Sequence, residues 1–266
     1  MKKLLILTAV IAAAVAVRAE VTPIDGENGV GFIQVTIPEG ASQKILSVPF
    51  EACMSGPGAM GVLRDLISTN GLKAAGNPAE ADQIVVLTTN ASGPVYYYYW
   101  YKTGTGWETN QTVKLGGGET NVIPVVASNY PVARGLGFWL KRPADATGTT
   151  LYMKGQIPTS SVPITLDGGT NFTLIGLGAL TTTNLNQVSS DNWGTRYTGG
   201  PGKMDKLLVV TNANGSYVQY LYMSSKWVDV DNQTDGEPQI AIQPGEGFWY
   251  LRRGANDLEF KPVVSQ

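Results

Sequence analysis

The feature that most constrains this chain is an internal repeat. VTIPEGASQKILSVPF, Val35–Phe50, aligns without a gap to ITLDGGTNFTLIGLGA, Ile164–Ala179. Apolar positions coincide along it: Val35 with Ile164, Ile37 with Leu166, Ile45 with Leu174, Leu46 with Ile175, Val48 with Leu177. Gly40 meets Gly169 in the turn. Ala81–Asn90 matches Met204–Ala213, and VYYYYWYKTGTGWE matches SYVQYLYMSSKWVD, which pairs Trp107 with Trp227. GLGFWLKR, Gly135–Arg142, matches GEGFWYLR, Gly245–Arg252, and TLYMKG from Thr150 matches DLEFKP from Asp257. Five blocks in one order imply a duplication, and a duplicated chain folds as two similar units.

Each unit reads as strand–turn–strand, a variable segment, then further strands closing after the Gly-x-Gly-Phe-Trp block. Period-2 alternation supports the strands, as in Val35 and Ile37, and turn residues separate them, as in Glu39-Gly40, Asn214-Gly215 and Pro244-Gly245. In the first variable segment Met60, Leu63, Leu66 and Ile67 share a helical face that Asn70-Gly71 ends; in the second, a shorter helical turn passes through Leu185 and Val188. The expectation is a mainly β fold: two tandem homologous antiparallel β-sandwich or barrel-like units, each with a short helix insertion. The first covers 20–159 and the second 160–266, joined through the proline-containing stretch Gly155–Pro163. One continuous sandwich built from both halves is the alternative.

Residues 1–19 read as an export signal. Lys2 and Lys3 precede an apolar run, Leu4–Val17, broken only by Thr8, and Val17-Arg18-Ala19 supplies small residues at a cleavage site. The run is short for a membrane span, which needs about 20 apolar residues. A secreted or cell-surface bacterial protein without membrane insertion after cleavage is expected, any surface retention coming from protein–protein contacts. Removing Lys2, Lys3 and Arg18 from 19 basic against 21 acidic residues leaves 16 against 21, a net charge of −5. That balance disfavours nucleic acid as a partner.

The order of an apolar Leu-Ile-Gly-Leu block, a variable insert, a Trp strand and a Pro-Gly-x-Gly-Phe-Trp strand resembles a repeat of bacterial extracellular proteins. It is similar in particular to an uncharacterised secreted family of the Verrucomicrobia–Planctomycetes–Lentisphaerae group. The matching residues are Leu174-Ile175-Gly176-Leu177, Trp227 and Pro244–Trp249, with Leu46-Ser47-Val48-Pro49, Trp107 and Gly135–Trp139 in the first unit. The resemblance implies an exported β module and transfers no catalytic residues.

The chain has no histidine and a single cysteine, Cys53. His-based nucleophile activation, His-ligated metal and an intrachain disulfide are therefore excluded. Cys53 reads as a small buried apolar residue, with a reactive thiol or an interchain disulfide as alternatives. The glycine-rich stretch Tyr197–Lys206 fails the phosphate-loop pattern, because Tyr197 and Met204 replace its first glycine and its Ser/Thr. Asp229–Glu237 misses the spacing of a calcium loop. Glu108, Glu246, Asp229 and Asp231 are the remaining carboxylates for hydrolysis, although Glu246 corresponds to Leu136 and Glu108 to Val228. No enzyme activity, cofactor or metal is expected.

Residues shared by the units read as scaffold: Trp107 and Trp227, then Gly135, Gly137, Phe138 and Trp139 with Gly245, Gly247, Phe248 and Trp249. Gly135 and Gly245 are expected at positive φ, and Gly137 and Gly247 where strands approach closely. The run Tyr96-Tyr97-Tyr98-Tyr99-Trp100-Tyr101 puts Tyr97, Tyr99 and Tyr101 on one face of a strand. The other face, Tyr96, Tyr98 and Trp100, is the candidate interaction surface, unless the strand is covered on both sides. The leading expectation is a structural or surface-assembly protein (fibre, surface layer or matrix) whose partner is protein, including itself. A carbohydrate-binding protein with a glycan partner is the alternative, and a hydrolase using paired carboxylates the third.

Overall fold

Antiparallel pairing of short alternating segments produces nearly all the regular structure. The computed structural model describes residues 19–20, 29–40, 42–51, 61–90, 93–114, 120–169, 171–193, 200, 202–210, 216–223, 226–229 and 240–264. The strands up to residue 156 are β1 (Ala19–Glu20), β2 (Val30–Ile37), β3 (Ser42–Ser47), β4 (Gly61–Val62), β5 (Gln83–Asn90), β6 (Gly93–Lys102), β7 (Gly106–Lys114), β8 (Thr120–Val126), β9 (Pro131–Val132), β10 (Gly137–Arg142) and β11 (Thr149–Gln156). They continue with β12 (Ile164–Leu166), β13 (Asn171–Gly176), β14 (Thr183–Asn184), β15 (Lys206–Val210), β16 (Tyr217–Met223), β17 (Lys226–Asp229), β18 (Ala241–Ile242), β19 (Gly247–Arg252) and β20 (Leu258–Phe260).

The largest sheet has the order β3-β10-β5-β6-β7-β8, and the next β13-β19-β15-β16-β17. A sheet β1-β2-β11 lies over the first and the pair β12-β20 over the second; β4-β9 and β14-β18 complete the set. The first core forms where Ile33, Val35 and Ile37 of β2 and Met153 of β11 meet Leu46, Val86, Trp107 and Phe138 of the large sheet. The second gathers Leu166, Leu258 and Phe260 against Ile175, Leu207, Trp227, Phe248 and Tyr250. Alternation along each strand supplies these faces, and burying one Leu, Ile or Phe side chain contributes about 1.5–3 kcal/mol.

Registers coincide between the two large sheets. Trp139 faces Ile45 and Val85 across β3 and β5, and Trp249 faces Leu174 and Leu208 across β13 and β15. Tyr101 faces Trp107, and Tyr222 faces Trp227. The closing strand departs from the sequence alignment. Leu258 pairs with Leu166, whereas Ile37, the residue aligned with Leu166, pairs with Thr149. Leu258 thus takes the place of Thr149, two residues from the Leu151 that the TLYMKG/DLEFKP match assigns to it. The register keeps Leu258 and Phe260 in the second core, and a shift by two residues leaves every side chain on its face.

One buried ion pair ties each large sheet to its loops. Arg142 forks onto Asp82, Nε to Oδ1 at 3.0 Å and Nη2 to Oδ2 at 2.9 Å, while the Lys73 N–H donates to Asp82 Oδ2 at 2.7 Å. Arg252 Nη1 donates to Asp205 Oδ2 at 2.6 Å, joined by the Tyr250 hydroxyl at 2.8 Å, and the Arg253 N–H donates to Oδ1 at 2.7 Å. Both aspartates are 0% exposed.

The two large sheets touch through backbone. Ser47 N–H donates to Gly245 O at 2.9 Å, and Gly176 N–H donates to Gly135 O at 2.8 Å. Leu46 bridges Glu246, and Leu136 bridges Ile175. A Cβ on Gly137 would lie 2.7 Å from the Leu174 carbonyl carbon, and one on Gly247 2.9 Å from Leu46 O, so these positions admit only glycine without movement. Beside the contact, Ile45, Leu87 and Leu174 cluster with Trp139, Val210 and Trp249. Arg134 sits nearby, its Nε donating to Pro49 O at 3.0 Å and its Nη1 to Ser160 O at 3.1 Å. Its Nη2 donates to Gly178 O at 3.3 Å and also to Val263 O. Burial lowers this guanidinium's pKa to about 10, against the opposing pull of Glu51.

The variable segments differ from the expected helices. The first forms a single turn, α1 (Leu63–Leu66), because Ile67 leaves it to bridge Met153 and enter the first core. Met60 and the start of that segment lie outside the described residues, as do Cys53 and the export signal apart from Ala19. The second forms a 3₁₀ turn, Leu185–Gln187, and α2 (Ser190–Trp193), with Leu185 buried and Val188 packed on the second core. Gly155 and Gln156, read as linker, belong to β11. Among the described residues no helix is long and apolar enough to cross a membrane.

Asp82→Ala would strand the Arg142 guanidinium, whose side chain is 1% exposed. The expected outcome in urea unfolding is a loss of about 3–5 kcal/mol, the range for removing one partner of a buried pair.

Candidate interaction surface

Strand β6 presents its rings unevenly because its neighbour leaves it. The β6–β7 ladder runs from Lys102–Gly106 to Tyr99–Thr109 and stops, while β7 continues with β8 as far as Lys114–Thr120. Tyr96, Tyr97 and Tyr98 lie past that point and are 42%, 46% and 50% exposed. Tyr99 is the last ring in the first core, where it meets Tyr130 at 4.5 Å between centroids. Burial raises the hydroxyl pKa of both tyrosines, so both stay protonated and able to donate.

Of the face expected to be open, Tyr96 and Tyr98 are exposed and Trp100 is buried. The burial of Trp100 has a local cause. Trp100 stands in the ladder between Gln83 and Glu108, beside the Lys102–Glu108 ion pair at 2.9 Å and the 3₁₀ turn Pro78–Glu80 packed on β6. Tyr97, placed by alternation on the core side, projects beyond the end of the core.

The outer face extends across the sheet onto β8. Tyr98 lies opposite Val85, and Val126 lies opposite Glu108, which lies opposite Trp100. By period 2, Val122, Pro124 and Val126 share the face of Tyr96 and Tyr98, and the two valines are 56% and 58% exposed. Strand β8 is also a sheet edge. Ala127 N–H donates inward to Trp107 O at 2.7 Å, so the even-numbered residues of β8 turn their backbone groups outward. Pro124 removes the donor from the middle of that edge, a device that discourages strand addition.

Rings continue the face toward the second sheet. Tyr96 stacks on Trp139 at 5.9 Å, Trp139 meets Trp249 edge-on at 4.9 Å, and Trp249 meets Phe172 at 5.5 Å. Trp139 and Trp249 therefore pack in the third apolar cluster with Ile45, Leu87 and Leu174 and are in neither main core. Trp107 and Trp227 are 1% exposed, Phe138 and Phe248 are buried, and Gly135 and Gly245 both have φ 77°.

The described candidate carboxylates, Glu108, Asp229 and Glu246, have separate local partners. Glu108 pairs with Lys102, and Asp229 faces Tyr220, whose hydroxyl pKa is raised by burial and by that carboxylate. Asp231 and Glu237 lie outside the described residues. Glu246 Oε2 accepts the Gln243 N–H at 3.0 Å. Among the described residues no three His, Cys, Asp or Glu side chains could hold a metal ion. Of the glycine-rich stretch, Gly200 and Gly202–Lys206 are described, and they lead into a strand. The paired Asp82–Arg142 and Asp205–Arg252 were not anticipated from the sequence, although each Asp and Arg occupies an aligned position. No family model, curated protein or solved structure matches the chain.

Pro124 and Glu246 each give a testable outcome. Pro124→Thr restores a donor to the β8 edge and is expected to raise the mass seen by light scattering at a fixed concentration; an unchanged mass would show that Pro124 does not guard it. Burial raises the Glu246 carboxyl pKa, against the Gln243 N–H and Lys44, and burial lowers that of Lys44. A carboxyl with a raised folded pKa contributes stability below its unfolded pKa and loses it as pH rises through the folded one. Glu246→Gln is therefore expected to stabilise the fold at neutral pH, with the gain fading toward about pH 4 in chemical unfolding.

Proposed function

We propose that this chain is an exported, non-enzymatic structural or surface-assembly protein, a subunit of a fibre, surface layer or matrix, acting through protein–protein contacts. The observation that carries this reading is the outer face of the six-stranded sheet, where Tyr96, Tyr98, Val122 and Val126 stand exposed beside the β8 edge. Adjacent apolar side chains on one sheet face suit a protein partner, because removing them from water supplies the driving force.

The same proposal includes two tandem units, 20–159 and 160–266, of the secreted bacterial repeat type that the sequence resembles. It is supported by the matched strand orders and by the reciprocity of the contact between the sheets. Ser47 to Gly245 and Gly176 to Gly135 are equivalent bonds with the halves exchanged, as are the Leu46–Glu246 and Ile175–Leu136 bridges. A two-fold related pair makes such self-complementary contacts.

A glycan partner is the second reading. It rests on the ring series Tyr96–Trp139–Trp249–Phe172, since sugar faces stack on aromatic rings.

Sedimentation velocity over about a hundredfold range of concentration tests the assembly reading through mass action. Mass is expected to rise with concentration, and the double variant Tyr98→Ser, Val126→Ser to remain monomeric. A wild-type chain that stays monomeric throughout overturns the reading.

A further inference from the structure

A groove of 580 Å³ opens on the outer face of the β2–β11 pair, walled on one side by the segment around α1. The first unit builds it with strand length: β2 and β11 have 8 residues each, against 3 each in β12 and β20. Phe32 lies opposite Lys154 and Tyr152 opposite Gln34, so alternation sets Phe32, Tyr152 and Lys154 on one face. Ser68 N–H donates to Tyr152 O at 2.8 Å, which holds the α1 segment against that face and brings Ser68, Thr69 and Arg64 to the rim.

Among the described side chains the cations at the rim are incompletely paired. Asp65 touches Arg64 at Nε, 3.4 Å away, and the terminal guanidinium nitrogens have no partner among the described residues. Lys154, exposed, likewise has none for its ammonium. Two cations beside half-open aromatic rings complement a carboxylate on a flat, ring-sized body, and the Ser68 and Thr69 hydroxyls complement hydroxyls on that body. The groove's size falls within the usual range for small-ligand sites, about 300–1,000 Å³.

We propose that this groove binds a hexuronate unit of an acidic polysaccharide, its carboxylate between Arg64 and Lys154 and its sugar face on Tyr152 and Phe32. The site stands apart from the assembly reading and shares no residue with the Tyr96 face. An acidic peptide offers the same charge without a ring to stack, so the ring residues favour the sugar acid.

Titration calorimetry on the full chain tests it with trigalacturonate, uncharged galactotriose and polyglutamate as probes. Trigalacturonate is expected to bind, to weaken several-fold between about 20 and 300 mM salt as screening sets in, and to bind about tenfold more weakly to Lys154→Gln and to Arg64→Gln. Tyr152→Ala is expected to weaken it comparably, and circular dichroism identifies any variant that misfolds. Galactotriose is expected to give no heat. Absence of trigalacturonate binding, equal binding of polyglutamate, or full affinity in both charge variants overturns the proposal.

Discussion

The approach of the two large sheets at Gly137, Gly176 and Gly247 is the constraint on which the arrangement depends. Backbone reaches backbone there, and a single added methyl group would force the strands apart. The approach brings Trp139 and Trp249 to within 4.9 Å and closes the third apolar cluster around Ile45 and Leu174. It also sets the outer faces of both sheets side by side, which gives the ring series its continuity. A wider gap would expose that cluster to water and divide the series.

The buried Asp–Arg pairs work alongside this contact. In each large sheet the pair joins the end of β10 or β19 to the residue just before β5 or β15. Isolated charges are costly in an apolar interior, but here each carboxylate also accepts a backbone N–H, and Arg142 donates to the Thr147 and Pro38 carbonyls. These bonds specify one loop path, which apolar packing alone does not.

Much of the fold was legible because the repeat carried it. Aligned blocks fell on strands with matching registers, and the Gly-x-Gly-Phe-Trp blocks marked both the positive-φ turns and the close approach. What escaped depends on tertiary competition. The periodicity of Leu63, Leu66 and Ile67 predicts a helix, yet Ile67 gains more by bridging Met153 in the core. Trp100 alternates with two exposed tyrosines, but it is buried in the ladder, and the exposed face runs instead onto β8, whose Val122 and Val126 no aligned block covers. The Asp–Arg pairs span 60 and 47 residues, too far apart for a local pattern to reveal. The groove depends on strand length, which the shared blocks do not encode.

Arg134 also determines how the chain would carry tension. Its guanidinium holds carbonyls from four separated stretches, at Pro49, Ser160, Gly178 and Val263. A pull applied between the two ends enters near β2 at one side and through Val263 at the other. Val263 peels away only when Arg134 releases its carbonyl and Leu177 O releases its N–H. Until then part of the force on Val263 passes through Arg134 to Pro49 and Gly178, which lie in different halves of the chain.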